Sequence, residues 1–449
     1  MKGIIGWRIT KEGDYKINLP ILSQEEEQLI LELEHYFREV TRFKDFSSKE
    51  ELVNELKNAL VNACDEHGYL LTEKQLAYLS YFAYLHIYGL GFFEEMLKND
   101  EIEEITVIGI NKPVYVYLTK EGWKKANVEI TSIDYLIDII NKMASALGRR
   151  ITFQNPRLDT TLKDGSRLHA SLPPISQGEI TIRKFKQKPL SVKEIVEMKT
   201  LPSLAVAIFS FFIQGDFSLM MCGNTASGKT TLLNSIFSFF PSSERILIIE
   251  ETPEINLLHN HIIRLVANKE MEITLKDLVY DALRMRPDRV VVGEIRNAEE
   301  GRALFDVLLS GQARGVYATF HAKSVNEAIS RILSFGISKT ELNAIDVFSI
   351  QKRMLIYNKS KKSVEERRRL YELAIYDNKP IEIIKYKILS DDWEIKNMDK
   401  LCNFISERIG MKSEEIKEEI KRREKLIEKA PNDYKEFFYF VQENIYGIG

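Results

Sequence analysis

Eight consecutive residues carry the most specific chemistry in this chain: Gly223, Asn224, Thr225, Ala226, Ser227, Gly228, Lys229 and Thr230, in the pattern G-x-x-x-x-G-K-[ST]. Two glycines let successive backbone N–H groups close around phosphate oxygens. The lysine reaches the β- and γ-phosphates, and the hydroxyl beside it holds Mg²⁺. The pattern has this meaning only between an apolar strand and a helix. Phe217-Ser-Leu-Met-Met-Cys222 supplies the strand, and the run from Thr231 to Phe240 is apolar at helical spacing and stopped by Pro241. The start of that helix adds its partial positive charge. Residues 223–231 therefore predict a nucleoside triphosphate site, with Thr230 as a Mg²⁺ ligand.

Three further apolar runs end in polar side chains, and in an open α/β sheet ligands sit outside the carboxyl ends of the strands. Arg245-Ile-Leu-Ile-Ile249 ends in Glu250-Glu-Thr-Pro-Glu254, Arg289-Val-Val-Val292 in Gly293-Glu-Ile-Arg296, and Val316-Tyr-Ala-Thr-Phe320 in His321. Triphosphate hydrolysis is mostly positioning and charge stabilisation, with one group orienting the attacking water. Glu250 is the first choice for that group and Glu251 the second. Glu294 suits support of Mg²⁺, directly or through water, or a share in water activation. His321 reads either as a γ-phosphate contact or as a buried histidine satisfied by its neighbours. The capping-box pattern Thr274-Leu-Lys-Asp277 opens a helix that ends at Arg284-Met-Arg-Pro287. Arg284 and Arg286 are candidates for transition-state charge stabilisation, often supplied by a neighbouring subunit, or are simply cations at a helix C-terminus.

These residues need a scaffold, and the chain suggests three parts. Residues 1–95 read as a helical unit, with helices near 23–37 and 48–64 and an aromatic stretch at 76–93. That stretch carries no charge, but its tyrosines and its closing glycines favour a core helix over a membrane span. Residues 96–190 read as a small α/β domain, with strands at 105–110, 114–118 and 180–182 and a helix over 131–147. Residues 191–449 hold the phosphate loop, then, from about 351, a hairpin of 354–357 with 370–376 and a charged helix at 413–430. Lys359, Lys361, Lys362 and Arg367, Arg368 and Arg369 fall between those hairpin strands and read as a solvated loop.

Bulk properties narrow the choice. Charged residues make up 29% and hydrophobic ones 44%, as in ordinary globular proteins. The net charge of -3, with no basic–aromatic groove pattern, gives no reason to expect nucleic acid. The three cysteines are scattered and Met1 to Thr10 lacks the apolar run of a signal peptide, which together predict a cytoplasmic protein.

Taken together, the loop at 223–230, Ile249-Glu-Glu-Thr-Pro-Glu254, the stretch from Leu283 to Arg296 and Gly315-Val-Tyr-Ala-Thr-Phe-His-Ala322 resemble the type II/type IV secretion ATPase superfamily. In that family's terms they look like Walker A, the Asp box, Walker B and the His box, in the expected order. Residues 156–168, Leu172-Pro-Pro and Ile182-Arg-Lys-Phe185 look like its N-terminal ATPase-associated domain. Tyr88-Gly-Leu-Gly91, with Asp100-Glu-Ile-Glu-Glu-Ile105 and Pro113-Val-Tyr-Val116, is similar to the archaeal branch, and the resemblance spans about 75–350. It implies an α/β fold, with a RecA-like ATPase domain behind a small PAS-like domain. It also implies ATP and Mg²⁺ as cofactors, a homohexamer, and a place at the inner membrane face. The partners implied are a polytopic membrane platform protein and prepilin-like subunits of a pilus or secretion machine. Arginines of the N-terminal domain complete the site in this family, which points to Arg157, Arg167 and Arg183. Two departures stand out: Glu251 where many members have aspartate, and Gly293 where an aspartate usually ends the Walker B strand. A RecA-like motor that translocates nucleic acid is the alternative reading.

Overall fold

The computed structural model describes residues 5–40, 48–119, 121–145, 148–185, 189–268, 271–358 and 362–448. Met1, Lys359 and Lys361 of the readings above lie outside them. The chain divides into two compact units, Met1–Lys186 and Gln187–Gly449.

The first unit runs β1 (Trp7–Ile9), α1 (Gln24–Val40), α2 (Lys49–His67), α3 (Glu73–Ile87), α4 (Phe93–Lys98), β2 (Ile102–Val107), β3 (Pro113–Leu118) and β4 (Gly122–Ile130). It continues with α5 (Ile133–Ala144), β5 (Arg157–Thr161), β6 (Arg167–Ser171) and β7 (Glu179–Arg183). Its seven strands form one sheet in the order β1-β4-β3-β2-β7-β6-β5, antiparallel throughout. The aromatic stretch becomes α3, started by a capping box between Thr72 and Gln75, with Leu79, Phe82, Ala83 and Leu85 buried. Phe82 stacks on Trp7 of β1 at 4.7 Å. A single apolar core takes residues from α1, α2, α3 and every strand, so the expected helical segment and the small α/β segment fold as one body. No helix among the described residues is long and apolar enough to cross a membrane.

The second unit opens with α6 (Val192–Glu197) and α7 (Ser203–Gln214), then β8 (Leu219–Gly223), α8 (Lys229–Ile236), β9 (Ile246–Glu250), β10 (Ile262–Val266), α9 (Leu275–Asp281) and β11 (Arg289–Ile295). After α10 (Ala298–Ser310), β12 (Gly315–Phe320) and α11 (Val325–Ser334) come the long strands β13 (Val347–Asn358), β14 (Ser363–Asp377) and β15 (Lys379–Lys387), then β16 (Asp392–Ile395). Three helices, α12 (Met398–Ile409), α13 (Ser413–Glu428) and α14 (Tyr434–Tyr446), close the chain. The sheet order is β10-β9-β11-β12-β8-β13-β14-β15-β16. The first six run parallel, and the last three are added antiparallel.

Alternation sorts the parallel strands between two layers. Met221, Ile246, Ile248 and Val291 pack with α7, α8 and the C-terminal helices. Cys222, Leu247, Ile249, Val290 and Val292 pack with α9, α10 and α11 on the other face. Burial on both faces is why these strands read as continuous apolar runs. Arg367, Arg368 and Arg369 are not in a loop: they belong to β14, and pair with Asp391 at 3.1 Å, Glu366 at 3.1 Å and Asp391 at 3.2 Å.

Candidate functional site

Strand β8 lies inside the parallel sheet, between β12 and β13, and delivers its loop at the carboxyl edge. The loop is tight. A Cβ on Gly223 would come within 2.4 Å of both the Gln351 carbonyl oxygen and Ser227 Oγ, so only glycine fits. Gly228 caps α8 in the left-handed region at φ 92°, and Ala226 sits there too, at φ 58°, a strained choice for a residue with a Cβ. Asn224 fastens the loop to β13: its Nδ2 donates to the Arg353 carbonyl at 3.3 Å, and its Oδ1 accepts from the Arg353 N–H at 3.1 Å.

Lys229 is 8% exposed and its Nζ lies 3.8 Å from Glu294 Oε1. The same Glu294 oxygen is 2.9 Å from His321 Nε2, while Glu294 Oε2 accepts from Arg296 Nε at 2.9 Å. Arg296 also pairs with Glu251. Lys229, Glu251, Glu294, Arg296 and His321 thus form one connected cluster at the ends of β9, β11 and β12. Burial alone would raise the Glu294 carboxyl, but Arg296, His321 and Lys229 outweigh it and hold the group below the usual carboxylate range. Burial and the nearby Lys229 ammonium push the His321 imidazole below its ordinary value, against the pull of Glu294.

Glu250 is different. It is 2% exposed, and its Oε1 accepts the backbone N–H groups of Glu254 at 2.7 Å and Ile255 at 2.9 Å. Its Oε2 pairs with Arg264 on β10. Burial still pushes this carboxyl up to about 7, against those hydrogen bonds and the Arg264 charge. The first choice for orienting water is therefore enclosed, with both oxygens engaged in holding the loop after β9. Glu251, one residue on, is part-exposed in the cluster with Glu294.

Thr230 Oγ1 donates to Glu254 Oε2 at 3.1 Å, and Glu254 is fixed in turn by Asn234 Nδ2 at 3.0 Å to its carbonyl. No group of three or more His, Cys, Asp or Glu among the described residues forms a metal cage. A hydroxyl beside a carboxylate, at a phosphate loop, nevertheless suits Mg²⁺, which takes few protein ligands and completes its shell with phosphate oxygens and water.

Arg284 closes a 3₁₀ turn and Arg286 follows at φ 48°, both just ahead of Arg289, where β11 starts. Parallel strands share their edges, so these arginines lie at the amino edge, opposite the loop. The fold does not bring them to the phosphate loop of their own chain. Arg157, Arg167 and Arg183 stand on β5, β6 and β7 of the other unit, where Arg167 is the register partner of Arg183. Arg264, Glu254 and Arg296 were missed as site residues. Arg296 had a readable signal, since it follows Glu294 by two and an extended chain returns to the same side every second residue.

Parallel sheet, interior loop strand and helix-capping glycine define a RecA-like P-loop domain. The sequence model of the type II/IV secretion system protein family matches residues 89–417, so the chain belongs to that family. An uncharacterized protein of Methanocaldococcus jannaschii is 38% identical over 234 residues, 49% of this chain and 32% of that protein. The chain thus spans about a third of the length of this curated relative. The type IV secretion system protein VirB11 of Bartonella quintana is 29% identical over 280 residues, 53% of this chain and 76% of that one. Among solved structures, the ATPase DotB of Legionella pneumophila is 19% identical, with a TM-score of 0.48, covering 74% of this chain and 87% of its own.

Proposed function

We propose that this protein is a Mg²⁺-dependent ATPase that powers a type IV pilus-like or type II secretion machine from the cytoplasmic face of the membrane. The observation that carries the reading is the cluster of Lys229, Glu251, Glu294, Arg296 and His321 at the mouth of the phosphate loop. Buried Lys229 would exchange its carboxylate partner for the β- and γ-phosphates. Glu251 orients the attacking water and accepts its proton. Arg296 holds Glu251 and Glu294 at a fixed spacing, and His321 keeps Glu294 turned toward the loop. Glu250 works one step back, fixing the loop that carries Glu254. Thr230 would hold Mg²⁺, with Glu254 and Glu294 as the supporting carboxylates, and the chemistry supplied there would be neutralisation of phosphate charge.

Arg157, Arg167 and Arg183 remain candidates for closing the site in an assembled homohexamer, and Arg284 and Arg286 can act only from a neighbouring subunit. Family membership and the likeness to VirB11, named a type IV secretion system protein, support a place in a secretion machine, and its proposed partners are a polytopic platform protein and prepilin-like subunits. Purifying the tagged full chain from native membranes tests this. A polytopic membrane protein with prepilin-like subunits should accompany it. Recovery of nucleic acid and no membrane platform would favour a translocating motor instead.

A further inference from the structure

Beneath the phosphate loop lies a group of buried polar side chains that the site does not use. Gln351 of β13 is the register partner of Gly223, the last residue of β8. It is 0% exposed, yet neither Oε1 nor Nε2 has a hydrogen-bond partner among the described residues. Ser349, two residues earlier on the same side of the strand, and Ser227 in the loop are likewise buried with unpartnered hydroxyls. Ser227 Oγ and the Gln351 backbone carbonyl oxygen each lie within 2.4 Å of where a Cβ on Gly223 would stand, so the Ser227 hydroxyl and the Gln351 main chain border the same point of the loop. The strand-pairing irregularity between β13 and β14 falls between Ile350 and Gln351, so the ladder departs from regular pairing at this residue.

A buried carboxamide without partners is costly, and an apolar side chain of that size would serve the core of this sheet better. Such a group is kept where its partner arrives with function. The group able to change is the loop beside it, which is tied to β13 by the Asn224 side chain on the Arg353 backbone and by the pairing of Gly223 with Gln351. We propose that Gln351 is a positioning residue for the phosphate loop: its carboxamide pairs with the loop through Ser227 when the loop closes around phosphate, and so stabilises the phosphate-holding form. Resting on the nucleotide-site reading, this adds a residue on a strand that no phosphate-loop pattern includes.

The test uses the full chain, with melting temperature read without ligand and dissociation constants for MgADP and MgATP read by calorimetry. Gln351→Leu and Gln351→Met remove the carboxamide at near-constant volume, and Ser227→Ala removes its proposed partner. The proposal predicts ligand-free melting equal to or above wild type, with nucleotide affinity weakened about tenfold, the worth of one buried hydrogen bond gained on binding. Combining Ser227→Ala with either Gln351 change should add little further loss. The reading is taken on whichever Gln351 variant retains wild-type helicity. Affinity within twofold of wild type there overturns the proposal, and so does affinity loss only in step with lowered ligand-free stability, the mark of a merely structural amide. If wild type itself binds neither nucleotide, the nucleotide-site reading fails, an outcome distinct from wild-type binding that the variants share.

Discussion

Two adjacent acids stand at the end of β9, and the proposed mechanism gives them opposite jobs that one pair of substitutions separates. Glu250 is enclosed and Glu251 is part-exposed. At pH 8, above the raised Glu250 value of about 7, Glu250 is ionised. Glu250→Ala then leaves Arg264 without its carboxylate and two backbone N–H groups without an acceptor. Removing one partner of a buried ion pair costs ~3–5 kcal/mol. The Arg264 side chain is 30% exposed and recovers some hydration, which favours the lower end. Each stranded N–H adds about 1 kcal/mol if water does not reach it. For a unit of this size, a loss of ~3–5 kcal/mol lowers the melting temperature by roughly 10 °C. Glu251→Gln breaks only a part-exposed pair with Arg296, worth ~0–1 kcal/mol, and should melt within a few degrees of wild type. Its ATP turnover should fall ~10²–10⁴-fold, the range for loss of a general base. Differential scanning fluorimetry and a coupled phosphate-release assay on the same preparations give both quantities. Wild-type melting in Glu250→Ala, or wild-type turnover in Glu251→Gln, would refute this division of labour.

Other predictions follow from the same geometry. The folded site lowers the His321 value, so between its ordinary and lowered values the unfolded chain binds more protons than the folded one. Stability should therefore fall as pH drops below about 6.5, and His321→Gln should remove that part of the slope in a melting-temperature series; an unchanged slope contradicts it. Arg183 is exposed at the end of β7. Arg183→Ala should melt like wild type yet lower turnover if Arg183 closes the site in the proposed homohexamer, and normal turnover would take Arg183 out of the mechanism.

The phosphate loop and its neighbours were legible because each is a short apolar run that must end in polar residues at one edge of a parallel sheet. All four predicted strands exist there, as β8, β9, β11 and β12. The enclosure of Glu250 was not legible, because it rests partly on Arg264, which sits on a strand unread in the sequence. That strand, β10, is a half-exposed edge without the apolar continuity of its neighbours. In the first unit β5 and β6 escaped for a similar reason, since Arg157-Leu-Asp-Thr-Thr161 is mostly polar. Strand β1 is three residues long, and it is read only through β4, its distant partner in the sheet. The capping box at Thr274 and Asp277, by contrast, is local, and the structure contains it as read.

Steady-state phosphate release from MgATP by the purified full chain shows whether the loop after β8 grips a triphosphate for hydrolysis. Wild type should hydrolyse ATP and lose that activity on chelation of Mg²⁺, while Lys229→Ala should fall to background with its fold intact. Undiminished hydrolysis in Lys229→Ala would mean that this loop is not where the triphosphate is held.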